Sequence, residues 1–308
     1  MFQAMINSLI SLFLCISLGY ICRRTKALND EVTSGLSGLL INVTLPCTIF
    51  ISLMREFSLN LLLGSLASFV ASAAMYLFGL LIAIPIAKLL RATPSEKAVW
   101  QFALMFPNVG YTGFPVMNAL YGADGLIYTS MSNVAFNFLV FTIGARIFTH
   151  GAPEAAGAKD GIRRVLVKPA LIMTFIGFVF FIFSLRLPSP IEDGISLVSA
   201  MTTPLSMIVV GSLLAKSNLK SIFMGWKMYA IIFARLIMIP LATLLAIKPV
   251  SPDPILTAIV VLLAAMPVAS LTVIFAEEYH GDSELASRMI FMSTLLMIAT
   301  LPFIYMFL

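Results

Sequence analysis

The sequence predicts an all-α polytopic membrane protein: ten transmembrane helices in a 5+5 inverted repeat, with helices four and nine broken. Three observations predict it. Of 308 residues, 60% are apolar and only 11% charged, far from the balance of a water-soluble chain. Basic residues crowd onto alternate loops, and proline-marked segments recur at an offset of 155 to 160 residues.

A hydrocarbon core of about 30 Å takes roughly 20 mostly apolar residues per helix, so the chain has room for about ten crossings and no soluble domain. Apolar runs place these helices near 3–22, 33–54, 61–88, 98–120, 125–148, 166–185, 195–215, 222–247, 254–277 and 286–308. No basic residue precedes the first run, and Arg23, Arg24 and Lys26 follow it. That is the reverse of a cleavable signal, so the run is read as the first membrane helix. Fifteen basic residues lie on the odd loops, among them Lys88, Arg91, Lys97, Arg146, Lys168 and Lys227, whereas Arg55, Arg186 and Lys248 alone lie on the even ones. The positive-inside rule puts the odd loops in the cytoplasm and both termini outside. The polar stretch 150–165 reads as a cytoplasmic linker separating a first five-helix repeat, 1–149, from a second, 166–308.

The two halves echo one another. IAIPIAKLL at 82–90 and IMIPLATLL at 237–245 agree at six of nine places. Pro46 pairs with Pro204, Pro107 and Thr112 with Pro267 and Thr272, and Gly122 with Gly281. An odd number of helices per half forces opposite insertion, the inverted-repeat plan of many secondary transporters.

Transporters of that plan bind substrate near the midplane, where paired helices are interrupted. In FPNVGYTGFPVMNALYG, 106–122, Pro107 and Pro115 remove backbone donors, Gly110 and Gly113 loosen the helix, and Asn108 and Thr112 bring polar groups to apolar depth. In MPVASLTVIFAEEYHGD, 266–282, Pro267 and Val268 are followed by Ser270 and Thr272. With no glycine before Gly281, this second break is expected to be the milder. Half-helix N-termini carry partial positive charge and unpaired N–H groups, which suit a carboxylate. Val43 to Pro46 and Pro204 are expected to face the site from the second and seventh helices. Arg235 lies midway along the eighth run, where a charge is costly. Two readings of it stand: it binds a carboxylate in the cavity, or it caps carbonyls freed by Pro240 and the ninth-helix break.

Other features point away from different classes. Cys15, Cys22 and Cys47 have neither disulfide nor zinc spacing, and His150 and His280 adjoin polar loops. No metal and no cofactor is expected, nor a nucleic-acid partner, since the net charge of +5 is explained by topology. Asn42-Val43-Thr44 matches a glycosylation acceptor inside an apolar run, where no glycan fits, and the acidic cluster Glu277, Glu278, Asp282 and Glu284 reads as a solvated helix end. Hydrolase, zinc-protease and nucleotide-loop motifs are absent, so no enzyme is expected.

The runs PNVGYTGFPVMNALYG (107–122) and VIFAEEYHGDSELASRMIF (273–291), with the Leu-Pro at 45–46, resemble the auxin efflux carrier family, which includes plant PIN carriers and bacterial relatives. The resemblance covers nearly the whole chain. It implies a fold similar to bile-acid–sodium symporters and sodium–proton antiporters, with a scaffold of helices one, two, six and seven and an elevator-like transport domain of the other six. It places Asn108 on the asparagine that meets the substrate carboxylate, Pro107 and Pro267 on the crossover prolines, and Arg235 on a basic position common before the eighth-helix proline. The short linker departs from the long loop of many plant carriers. Bacterial members are associated with malate or malonate uptake as well as auxin-like efflux. The expected function is therefore elevator-type secondary transport of a small organic anion, an auxin-like monocarboxylate or a dicarboxylate. The alternatives are a sodium- or proton-coupled symporter of another organic solute, or a channel or sensor. The expected partners are the anion, the lipid bilayer and, from the fold relatives, a second copy of the chain; the short linker and compact loops favour a bacterial inner membrane.

Overall fold

A computed structural model describes residues 2–148, 167–216, 225–251, 253–279 and 281–308. The predicted linker 150–165, His150 and His280 lie outside the described residues. The helices, in chain order, are α1 (Phe2–Arg24), α2 (Asp30–Leu39), α3 (Leu45–Leu53), α4 (Leu59–Leu89), α5 (Pro94–Met105), α6 (Phe114–Leu139) and α7 (Ala145–Phe148). After the linker come α8 (Pro169–Ile182), α9 (Ser189–Ala200), α10 (Thr202–Lys216), α11 (Trp226–Phe233), α12 (Ile239–Ile247), α13 (Pro254–Ala264), α14 (Leu271–Glu278) and α15 (Ser283–Tyr305). Among the described residues, six continuous stretches are long and apolar enough to cross a membrane by length and composition: 30–53, 59–89, 109–148, 189–215, 226–247 and 283–305.

Several boundaries have a readable local cause. α5 starts at Pro94, earlier than the fourth hydrophobic run suggested, because Thr93 and Glu96 close a capping box: the Glu96 N–H donates to Thr93 Oγ1 and the Thr93 N–H to Glu96 Oε2. Asn29, Asp253 and Asp282 likewise accept from first-turn N–H groups of α2, α13 and α15. Three of the four π-helical turns among the described residues, Leu40–Thr44, Val109–Gly113 and Ala234–Met238, end two residues before a proline, namely Pro46, Pro115 and Pro240; the fourth, Val140–Gly144, does not. A proline ring presses on the carbonyl four residues back and offers it no N–H, so the preceding turn widens. Pro85 sits inside the unbroken α4, so the matching IAIPIAKLL and IMIPLATLL segments differ locally. Gly122, at φ 56° and ψ −136°, adopts a backbone open to glycine and divides the fourth run from the fifth inside α6.

The helix surfaces are inverted relative to a soluble protein. On α4, Leu63, Leu66, Val70, Leu77, Leu81 and Ile84 are exposed, while Ser65, Ser68, Ser72 and Tyr76 are buried. A face more apolar than the interior it covers is stable only against lipid.

By compactness the chain forms two units, one of 1–66, 110–131 and 166–216, the other of 67–109, 132–165 and 217–308. In the first, α1 packs on α10, and α3 on α8 and α9. Hydroxyls knit α3 to α9 and α10: Thr48 Oγ1 lies 2.7 Å from Thr202 Oγ1 and accepts from Ser199 Oγ at 3.1 Å. Two of the three even-loop cations also work here. Arg55 pairs with Asp124 at 2.5 Å, and Arg186 donates to the Met54 carbonyl at 2.7 Å while lying 3.6 Å from Glu192.

The α1–α10 contact is a backbone-to-backbone crossing of small residues. A Cβ on Gly19 would strike the backbone of Ile208, and one on Gly211 the carbonyl of Ile16. Neither obstacle is a flexible side chain. Gly211→Ala is therefore expected to destabilise by about 1–3 kcal/mol as overpacking. Gly35→Ala, where an added Cβ meets nothing within 4 Å, should cost no packing; equal thermal shifts of the two variants in detergent would contradict this.

Candidate functional site

The second unit contains the meeting of two broken helices. α5 stops at Met105 because Pro107 offers no N–H and forces its predecessor out of the helical region; Phe106 accordingly sits at φ −112°, ψ 109°. α13 stops at Ala264, and 265–270 run non-helically past Pro267 before α14 begins. The two interruptions lie antiparallel, Pro107 opposite Val268. The Asn108 N–H donates to the Pro267 carbonyl at 2.8 Å, and the Ala269 N–H to the Phe106 carbonyl at 3.1 Å. Each break thus satisfies backbone groups that the other exposes, as neighbouring strands do. The ninth-helix break was expected to be the milder, but it is the longer: three residues, 106–108, are non-helical in the fourth run and six, 265–270, in the ninth. Pairing across the crossing, rather than glycine content, holds it open.

Side chains complete the crossing. Asn108 is 4% exposed, and its Nδ2 donates to Ser270 Oγ at 3.1 Å. The Val268 N–H points away from the paired strand and donates to Ser293 Oγ of α15 at 3.0 Å. Ser293, fully buried, was missed by sequence reasoning; its only signal is a hydroxyl in an apolar run. Ser293→Ala should leave a buried N–H unpaired and cost about 1–3 kcal/mol. A melting temperature equal to the parent's would show that the crossing does not depend on that bond.

Arg235 is fully buried in the π turn between α11 and α12. Its Nη1 donates to the Leu104 carbonyl at 3.0 Å and its Nε to the Met266 carbonyl at 3.3 Å. Leu104 is free to accept because its usual helical partner, the Asn108 N–H, is spent on Pro267. Of the two expectations for Arg235, carbonyl capping is seen directly, and it reaches the fourth-helix break as well as the ninth. Arg235 Nη2 has no hydrogen-bond partner among the described residues. Around the crossing, Phe102, Phe106, Phe136 and Tyr76 pack in tilted and edge-to-face pairs with centroids 4.7 to 6.2 Å apart, and Tyr76 Oη meets Ser132 Oγ at 2.6 Å.

Pro107, Asn108, Pro267, Val268, Ser270 and Arg235 are thus brought together. Gly110, Thr112 and Gly113 form the π turn that follows, in the first unit, with the Thr112 hydroxyl buried and unpartnered among the described residues. Pro46 is buried at the start of α3, in the same unit. The second unit's crossing offers an amide, a hydroxyl and the N-terminal end of α14, donors suited to holding an anion.

Interrupted helices meeting inside an apolar bundle are the layout of membrane transporters with broken helices. Comparison with known proteins agrees: the sequence matches the family described as Membrane transport protein over residues 4–161 and 158–305. The chain belongs to that family, the auxin efflux carrier family, and is a multi-pass membrane protein. It is 26% identical to an uncharacterized transporter of Methanocaldococcus jannaschii, with 91% of each chain covered. It is also 26% identical to a Rhizobium meliloti protein named "Putative malonate transporter", covering 92% of this chain and 90% of that one. An uncharacterized transporter of Escherichia coli K12 is 22% identical, with 96% and 95% covered.

Proposed function

We propose that this protein is a secondary transporter of a small organic anion, an auxin-like monocarboxylate or a malate- or malonate-type dicarboxylate. The observation that carries the reading is the crossing itself, where the Asn108 amide and the Ser270 hydroxyl meet at 3.1 Å beside the start of α14. An anion accepts from such donors and gains from the helix N-terminus, whose partial positive charge repels a cation. The name of the Rhizobium relative supports a dicarboxylate.

The helical runs are read as ten crossings in a 5+5 inverted repeat of a bacterial inner-membrane protein, with both termini outside and two copies per assembly. Helices one, two, six and seven form the scaffold and the other six an elevator-type transport domain. The grouping of 1–66 with 166–216 supports the scaffold, although that unit also takes in 110–131.

Purified protein melted against indole-3-acetate, malate and malonate tests the substrate class. A ligand at 100 times its Kd should stabilise by about 2.7 kcal/mol. The absence of a shift with any carboxylate would overturn the anion reading. Counterflow in proteoliposomes separates a carrier from a channel, since only a carrier exchanges faster with substrate on the far side.

A further inference from the structure

In broken-helix transporters, the C-terminal ends of half-helices and the carbonyls of the unwound backbone are where coupling cations bind. Here two of those acceptors are taken by a side chain. Leu104 closes the C-terminal end of α5 and Met266 lies just past that of α13, and both carbonyls accept from Arg235. We propose that Arg235 is the resident cation of the crossover: it fills the place a coupling sodium would need, so that the crossing binds no sodium. This rests on the transporter reading above but not on the identity of the substrate.

Charge supports it. A helix C-terminus carries about half a negative unit charge, so two converging on one guanidinium roughly neutralise it. Among the described residues Arg235 is the one buried charged side chain, so no carboxylate is seen to supply the negative charge that an added sodium ion would require. A guanidinium also suits the place better than an ammonium, since separate N–H groups of one planar fork reach two carbonyls held in different helices.

The experiment is thermal melting in detergent of the full chain without organic anion, in sodium chloride against choline chloride at equal ionic strength. The parent protein is expected to melt at the same temperature in both salts. Arg235→Ser vacates the two carbonyls; it should melt lower in choline and recover by roughly 5 °C as sodium saturates the vacated place. A loss that is only structural would be the same in both salts. A saturable sodium stabilisation of the parent, or a serine variant that ignores sodium, overturns the proposal. If the serine variant does not fold, Arg235→Lys replaces it. Its ammonium keeps the charge in place, so sodium should not shift it, and a sodium-dependent melt would overturn the proposal. Failure of the anion reading would show in the carboxylate panel and leave these melts unchanged.

Discussion

Arg235→Met should be among the most destabilising single substitutions in this chain. Methionine keeps much of the side-chain volume and removes every donor, so the loss isolates the hydrogen bonds. The Leu104 and Met266 carbonyls would then remain buried without partners, at about 1–3 kcal/mol each. Release of the guanidinium from its buried site offsets part of this, but deleting one partner while the other stays in place is the case in which the loss exceeds the desolvation regained. Arg235→Lys should recover part of it, because a single ammonium keeps the charge near two half-helix ends but cannot match the fork. Chemical or thermal denaturation of the three proteins tests the order parent, lysine, methionine. Equal stability of parent and methionine variant would show that the carbonyls find other partners.

Asn108→Ala should act on binding more than on folding. The Asn108 side chain donates to the half-buried Ser270 hydroxyl, whose loss is modest. The backbone bond to Pro267 that holds the crossing is kept. A charge-assisted hydrogen bond to a carboxylate contributes about 1.5–3 kcal/mol, equivalent to roughly 10- to 100-fold in affinity. The carboxylate that stabilises the parent by about 2.7 kcal/mol should therefore stabilise the variant by only about 0.4–1.4 kcal/mol at the same concentration, while the melting temperature without ligand changes little. Retention of the full ligand-induced shift would remove Asn108 from the site.

Much of this was legible along the chain because local chemistry caused it. Pro107 and Pro267 each follow the end of a helix, although Pro85 sits inside one, and Gly122 marks a turn that other residues resist. The late start assigned to the fourth helix came from following hydrophobicity past the Thr-Pro-Ser-Glu cap. The mild ninth break came from counting glycines, when the pairing with Phe106–Asn108 settles its length.

That the chain belongs in lipid, which of its helices break and which family it belongs to are all written along the chain, because apolar run length, proline chemistry and family motifs are properties of neighbouring residues. What the breaks do with their freed backbone groups depends on the packing of distant segments. The acceptors of Arg235 lie 31 and 131 positions away, and Ser270 lies 162 from Asn108. No local pattern encodes partners so distant; they meet because buried carbonyls and N–H groups far from water must find one another.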